Sequence, residues 1–127
     1  QVSLDELLNT CDIISIHCPL NENTKDLLNY KNMKNIKDGA ILLNLGRGGI
    51  INEPDLAKII DEKEIYCGLD VVSVEPIAEY NPLLKVKNKD RLLLTPHIGW
   101  ASVEARTRLV KMVAENIKEF ISQKRIS

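Results

Sequence analysis

Residues 40–53 read AILLNLGRGGIINE. An apolar run from Ala40 to Leu45 ends at Gly46, and an arginine then stands among three glycines before Ile50 and Ile51. The run is apolar at nearly every position, which suits a strand covered on both faces of a parallel sheet. Glycines after such a strand let backbone approach a ligand closely or take positive φ. Arginine offers a planar fork of donors suited to a carboxylate or a phosphate. A plain turn with an incidental surface arginine accounts for this stretch equally well, so its neighbours have to decide.

Working outward, short apolar runs alternate with helical patterns. Ser3 precedes acidic residues and Leu4, Leu7 and Leu8, a helix start. DIISIHCP (12–19) is a β-branched run stopped by Pro19. A polar stretch with Leu27, Leu28, Tyr30 and Met33 predicts a loop with one or two short helices, and Asp38-Gly39 predicts a turn. Asn52 and Pro54 open a helix whose one face is Leu56, Ile59 and Ile60. IYCGLDVVS (65–73) and RLLLTP (91–96) read as two further strands, separated by a proline-punctuated loop. Residues 101–121 read as a long amphipathic helix. The fold class expected is α/β, a partial Rossmann-type parallel sheet of about four strands, with right-handed crossovers putting flanking helices on both faces.

The bulk numbers exclude several classes. The chain has 127 residues, net charge −1, and is 28% charged and 44% hydrophobic. No basic patch suits nucleic acid. No apolar stretch approaches the roughly 18–20 residues of a membrane span, and no signal-peptide pattern opens the chain. Cys11, Cys18 and Cys67 are odd in number and sit in or beside apolar runs, so a disulfide framework is not expected and a reducing, cytoplasmic setting is. No metal site is expected, because His17 and the cysteines lack ligand spacing.

In a parallel sheet, ligands bind beyond the carboxyl ends of the strands. Those ends carry HCPLNENT, GRGG, Asp70 with Glu75 five residues on, and PHIGW. Arg47, Asp70, Glu75 and His97 are therefore expected along one edge. Singly, Glu75 and Asp70 are better explained as a loop acid and a backbone cap. Together, an arginine, a carboxylate and a histidine form a working set: the arginine binds a carboxylate, the histidine moves a proton near neutral pH, and the acid orients it.

The runs NLGRGGIINEPDL, GLDVVSVEP, NPLL and LLLTPHIGWAS resemble the D-isomer-specific 2-hydroxyacid dehydrogenases, in the family's order and across roughly residues 3–121. The resemblance implies an NAD(P)-dependent reductase of small 2-oxo acids, with hydride passing between the nicotinamide and the substrate's C2. It implies that Arg47 anchors the substrate carboxylate, Glu75 is the partner acid and His97 is the acid–base. Asp70 matches the contact to the nicotinamide carboxamide. Cys18, Pro19, Thr24, Leu45 and Gly46 match positions lining the cofactor, with Arg47 and His97 beside them, and Gly99 and Trp100 match the loop next to the histidine. Trp100 resembles the glycerate dehydrogenase or hydroxypyruvate reductase branch, so hydroxypyruvate or glyoxylate is the substrate expected. A homodimer through the cofactor domain is expected on the same ground.

The family's G-x-G-x-x-G fingerprint is absent, and the cluster at Gly46–Gly49 cannot stand in for it because the third glycine position would be Ile51. The acidic ribose-binding residue and the substrate domain are missing too. Residues 1–127 are therefore read as the C-terminal part of a dinucleotide-binding domain, with helix 101–121 leading toward the substrate domain and NAD (or NADP) as cofactor. The rival reading is an NAD-sensing binding protein without turnover, since fold does not fix function.

Overall fold

The computed structural model describes residues 1–124. Residues 1–97 and the segment from Ile98 onward form two compact units. The first contains α1 (Leu4–Thr10), β1 (Ile13–Ile16), α2 (Tyr30–Met33), β2 (Ile41–Asn44), α3 (Glu53–Glu62), β3 (Tyr66–Leu69) and β4 (Leu92–Leu94), with short 3₁₀ turns at Pro82–Lys85 and Lys89–Arg91. The second contains α4 (Val103–Lys124).

Local chemistry sets these boundaries. Ser3 caps α1 by accepting the N–H of Glu6. Asn29 and Asn32 form a reciprocal capping box on α2. Asn52 caps α3 through the N–H of Asp55, with Pro54 in the first turn. Gly39 takes φ +81° in the turn before β2, where a side chain would be strained.

The four strands are all parallel and lie in the order β1-β2-β3-β4. Register aligns Ile14, Leu42, Cys67 and Leu92 in one row, and Ile16, Asn44, Leu69 and Leu94 in the next. These rows face the core, where Leu8, Met33, Ile36, Leu56, Ile59, Ile60 and Leu83 are buried. Helices α1, α2 and α3 pack one against the next on this face.

The opposite face departs from the expectation of helices on both sides. Ile13, Ile41 and Tyr66, which share a register row, are 63%, 38% and 39% exposed, and Leu93 is 65% exposed. β2 is therefore covered on one face only. The reason is the strand order. Right-handed crossovers between strands laid down in sequence order all return over the same face. Helices reach the second face only where the order reverses, and these four strands contain no reversal.

α4, taken by itself, starts where the Ser102 hydroxyl accepts the N–H of Ala105. Its predicted apolar side, including Val103, Leu109, Val110, Val113, Ile117, Phe120 and Ile121, is exposed. No described helix is long and apolar enough to cross a membrane.

Candidate active site

Four parallel strands deliver four carboxyl ends to one edge of the sheet, and the backbone ladder continues past two of them. The Asp70 N–H donates to the Asn44 carbonyl at 3.0 Å, and the Thr95 N–H donates to the Leu69 carbonyl at 3.0 Å. Asp70 and Thr95 are thereby neighbours. The Thr95 hydroxyl donates to Asp70 Oδ1 at 2.5 Å, and Asp70 is buried.

Two residues beyond Thr95, His97 sits at φ +54°. That left-handed conformation is unusual for a residue with a side chain and persists only where the surroundings impose it. Its N–H returns to the Thr95 carbonyl at 3.0 Å, closing a tight turn. The imidazole Nδ1 lies 2.7 Å from Glu75 Oε2. Glu75 Oε1 accepts the N–H of Val72 at 3.2 Å. The hydrogen bond from His97, and after it the one from Val72, hold the Glu75 carboxyl below the ordinary carboxylate range. An ionised Glu75 accepts only, so Nδ1 carries the hydrogen in this contact.

Asp70, Thr95, Glu75 and His97 line one cavity of about 560 Å³, whose other walls include Val72, Ile77, Leu84 and Leu94. A mostly apolar chamber with a few convergent polar groups is the usual form of a small-molecule site.

Arg47 lies at the next strand end, in a groove shared with His17, Cys18, Pro19, Leu20 and Gly46. Its Nη1 donates to the Gly46 carbonyl at 2.7 Å. The turn that carries it is built by Asn44, whose amide Nδ2 donates to the Arg47 carbonyl at 2.9 Å while its Oδ1 accepts the Gly46 N–H at 3.1 Å. Gly48 lies against the backbone of Val72 and Ser73 so closely that a Cβ would overlap the Val72 carbonyl. The arginine loop and the Glu75 loop are thus packed backbone to backbone.

The remaining expected residues are placed differently. Cys18, Pro19 and Gly46 line the groove with Arg47. Thr24 is used inside its own loop, donating to the Pro19 carbonyl at 2.6 Å and accepting the Asn21 N–H at 2.8 Å. Leu45 is exposed. Gly99 and Trp100 belong to the second unit. Cys67 is buried in β3, and burial pushes its thiol up to about 12, so it stays neutral and inert.

Sequence reasoning missed Asn44, Thr95 and Glu53. Asn44 and Thr95 each interrupt an otherwise apolar strand run, and a lone polar residue there has to be hydrogen-bonded if buried. Glu53 follows the helix cap and gives no such signal.

This arrangement is a candidate small-molecule site at the carboxyl ends of parallel strands, and comparison with known proteins gives its family. Residues 1–99 match the model of the D-isomer specific 2-hydroxyacid dehydrogenase, NAD binding domain, and the chain belongs to that family. It is 46% identical over 121 residues to a hydroxypyruvate reductase of Blautia hydrogenotrophica, covering 94% of this chain and 37% of that protein. It is 40% identical over 120 residues to a glyoxylate reductase of Korarchaeum cryptofilum, covering 94% of this chain and 35% of that protein. An acyclic imino acid reductase solved in complex with NADPH and D-Arg superposes with TM-score 0.84 at 34% identity, covering 97% of this chain and 38% of that one. The chain thus spans little more than a third of the length of these relatives.

Proposed function

We propose that this chain is the C-terminal part of the cofactor domain of a longer NAD(P)-dependent D-2-hydroxyacid dehydrogenase that reduces hydroxypyruvate or glyoxylate. The observation that carries the reading is the 2.7 Å contact between His97 Nδ1 and Glu75 Oε2 at the strand ends, beside the arginine loop. The residues present suit the nicotinamide end of the cofactor: a buried carboxylate bonded to a threonine, in a mostly apolar cavity that also holds Glu75 and His97. Asp70, Thr95, Cys18, Pro19 and Gly46 would hold it, and the bound cofactor would supply the hydride. The chain's sequence offers no glycine-rich turn for the pyrophosphate.

The chain's own residues do the rest. Arg47 presents its guanidinium to the substrate carboxylate. His97, oriented by Glu75, gives a proton from Nε2 to the oxygen that becomes the hydroxyl. Glu75 stabilises the imidazolium before the transfer and holds the ring afterwards. A cytoplasmic homodimer is proposed with this activity, on the family resemblance and the unpaired cysteines.

The test is NADH oxidation with hydroxypyruvate and with glyoxylate, run on the longer protein and on residues 1–127 alone. Turnover by the longer protein and none by the isolated chain is expected. Cofactor binding without turnover in the longer protein would favour a cofactor-sensing role instead. Clear turnover by the isolated chain would overturn the claim that the missing part is needed.

A further inference from the structure

Glu53, the first residue of α3, is a carboxylate buried to 7% exposure. Burying a charge is costly unless it is fully hydrogen-bonded, and this one is bonded to a single segment. Oε1 accepts the Ser73 N–H at 2.5 Å, and Oε2 accepts the Ser73 hydroxyl at 3.0 Å and the Asn81 amide Nδ2 at 2.7 Å. The helix N-terminus adds favourable potential for the charge. Both ends of the stretch 73–81 are thereby tied to α3, and Glu75 lies between them. Asn81 is itself buried and uses its Oδ1 to accept the Leu83 N–H. Val72, next to Ser73, supplies the N–H that Glu75 Oε1 accepts. Gly48 closes the other side of Val72 and Ser73.

We infer that Glu53 is a positioning residue for the proton-transfer pair: by fixing Ser73 and Asn81 it sets the loop from which Glu75 meets His97. The inference rests on the proposed function for its catalytic meaning, but the mechanical link is a property of this chain. The carboxylate is required rather than its amide. A glutamine would turn an NH₂ toward either the Ser73 N–H or the Asn81 amide, donor against donor, and one bond must be lost. An apolar side chain of any size would leave several donors without a partner.

The link can be read in residues 1–127 without cofactor or substrate. The variants are Glu53→Gln, Ser73→Ala, which removes one bond to the carboxylate and leaves the backbone intact, and the wild type. Amide exchange and the NMR titration of the Glu75 side-chain carboxyl are followed in each. In Glu53→Gln, exchange at Val72 and Ser73 should rise about tenfold or more above the change seen in the core strands. The Glu75 carboxyl should titrate nearer the ordinary range, because its bonds to the Val72 N–H and His97 are no longer held. Ser73→Ala should move both readouts in the same direction by less. In the longer protein, Glu53→Gln should lower kcat and shift the pH profile of 2-oxo acid reduction while KM for NADH stays within about twofold.

A uniform rise in exchange throughout the core, with the Glu75 titration unchanged, would make Glu53 a general stability residue and overturn the inference. So would wild-type behaviour of both variants. If Glu53→Gln fails to fold, Ser73→Ala alone decides by the same two readouts. Coupling in the isolated chain with no turnover by the longer protein would sink the enzymatic reading and leave the positioning role standing.

Discussion

His97 Nδ1 and Glu75 Oε2 stand 2.7 Å apart although 22 residues separate them in the chain. Each reaches the contact from the far end of a different strand, β4 for the histidine and β3 for the acid. The pair makes a pH prediction with a definite sign. The fold holds the Glu75 carboxyl below the ordinary range, first through His97 and then through Val72. A depressed carboxyl contributes stability above its unfolded pKa, and that contribution is lost as pH falls through the folded value. Melting temperatures from about pH 7 down to about pH 3 should therefore converge for wild type and Glu75→Gln at the acid end. A constant difference across that range would show that the pair does not couple folding to protonation. In the longer protein, Glu75→Gln should also move the pH dependence of reduction toward acid, since the imidazolium loses its charged partner.

The histidine itself should tolerate replacement by asparagine structurally, because asparagine accepts the left-handed backbone that His97 adopts at φ +54°. In the longer protein, His97→Asn should then fold normally yet lower kcat by roughly 10²–10⁴-fold through loss of the proton donor. Circular dichroism and steady-state kinetics on one preparation check both halves. A folded His97→Asn with wild-type kcat would remove histidine from the chemistry.

The sequence alone carried the four strands, the caps Ser3 and Asn52 and the pairing of GRGG with the strand end, because apolar period and cap chemistry are local; the Asn29 cap of α2 was not read from it. The one-sided sheet was not legible, since a run such as AILLNLG is equally apolar whether its second face is covered or open. What decides that is the strand order β1-β2-β3-β4, a property of non-local pairing. At the site, Arg47, Glu75 and His97 stood out by residue type at strand ends. Asn44 and Glu53 did not, because their importance comes from what they hold: a turn carbonyl in one instance, Ser73 and Asn81 in the other.

Arg47 supplies the next prediction. It is exposed, with its guanidinium folded onto the neighbouring Gly46 carbonyl, so replacing it should leave stability near wild type. In the longer protein, Arg47→Lys keeps the charge and loses the fork. A loss of roughly tenfold or more in kcat/KM is expected, about 1.4 kcal/mol of transition-state binding, with Arg47→Ala losing more. Affinity for NADH should change little, which direct fluorescence titration measures. Wild-type kcat/KM in Arg47→Ala would make the loop only a turn.

Gly48→Ala should be far worse for folding than its size suggests. The added Cβ would overlap the Val72 carbonyl and stand 2.5 Å from the Ser73 nitrogen, all backbone atoms with nowhere to move. Forcing atoms into packed structure typically costs about 1–3 kcal/mol and sometimes more. Gly49→Ala has only Leu20 side-chain atoms in reach, at 3.7 Å and 3.8 Å, but must take φ +83°. Urea unfolding of the two variants should place Gly48→Ala as the less stable. The reverse order would mean that the arginine loop does not press on the Glu75 loop.

The open face of the sheet predicts how residues 1–127 behave alone. Ile13, Ile41, Tyr66 and Leu93 present an apolar surface with no helix of the first unit upon it, and β1 has a paired neighbour on one side only. An exposed apolar patch and an unpaired strand edge both invite association. Light scattering should find the chain self-associated at high concentration. Charges on the face should reverse this without disturbing the core, since Ile13 and Leu93 point away from Leu42 and Leu69 in the register. Ile13→Lys with Leu93→Lys is the pair to make, since lysine is a natural guard of sheet edges. The double variant should lighten the assembly while keeping the wild-type circular dichroism spectrum. If the wild type scatters as a monomer, or the lysines leave its association unchanged, the open face is not what draws copies together.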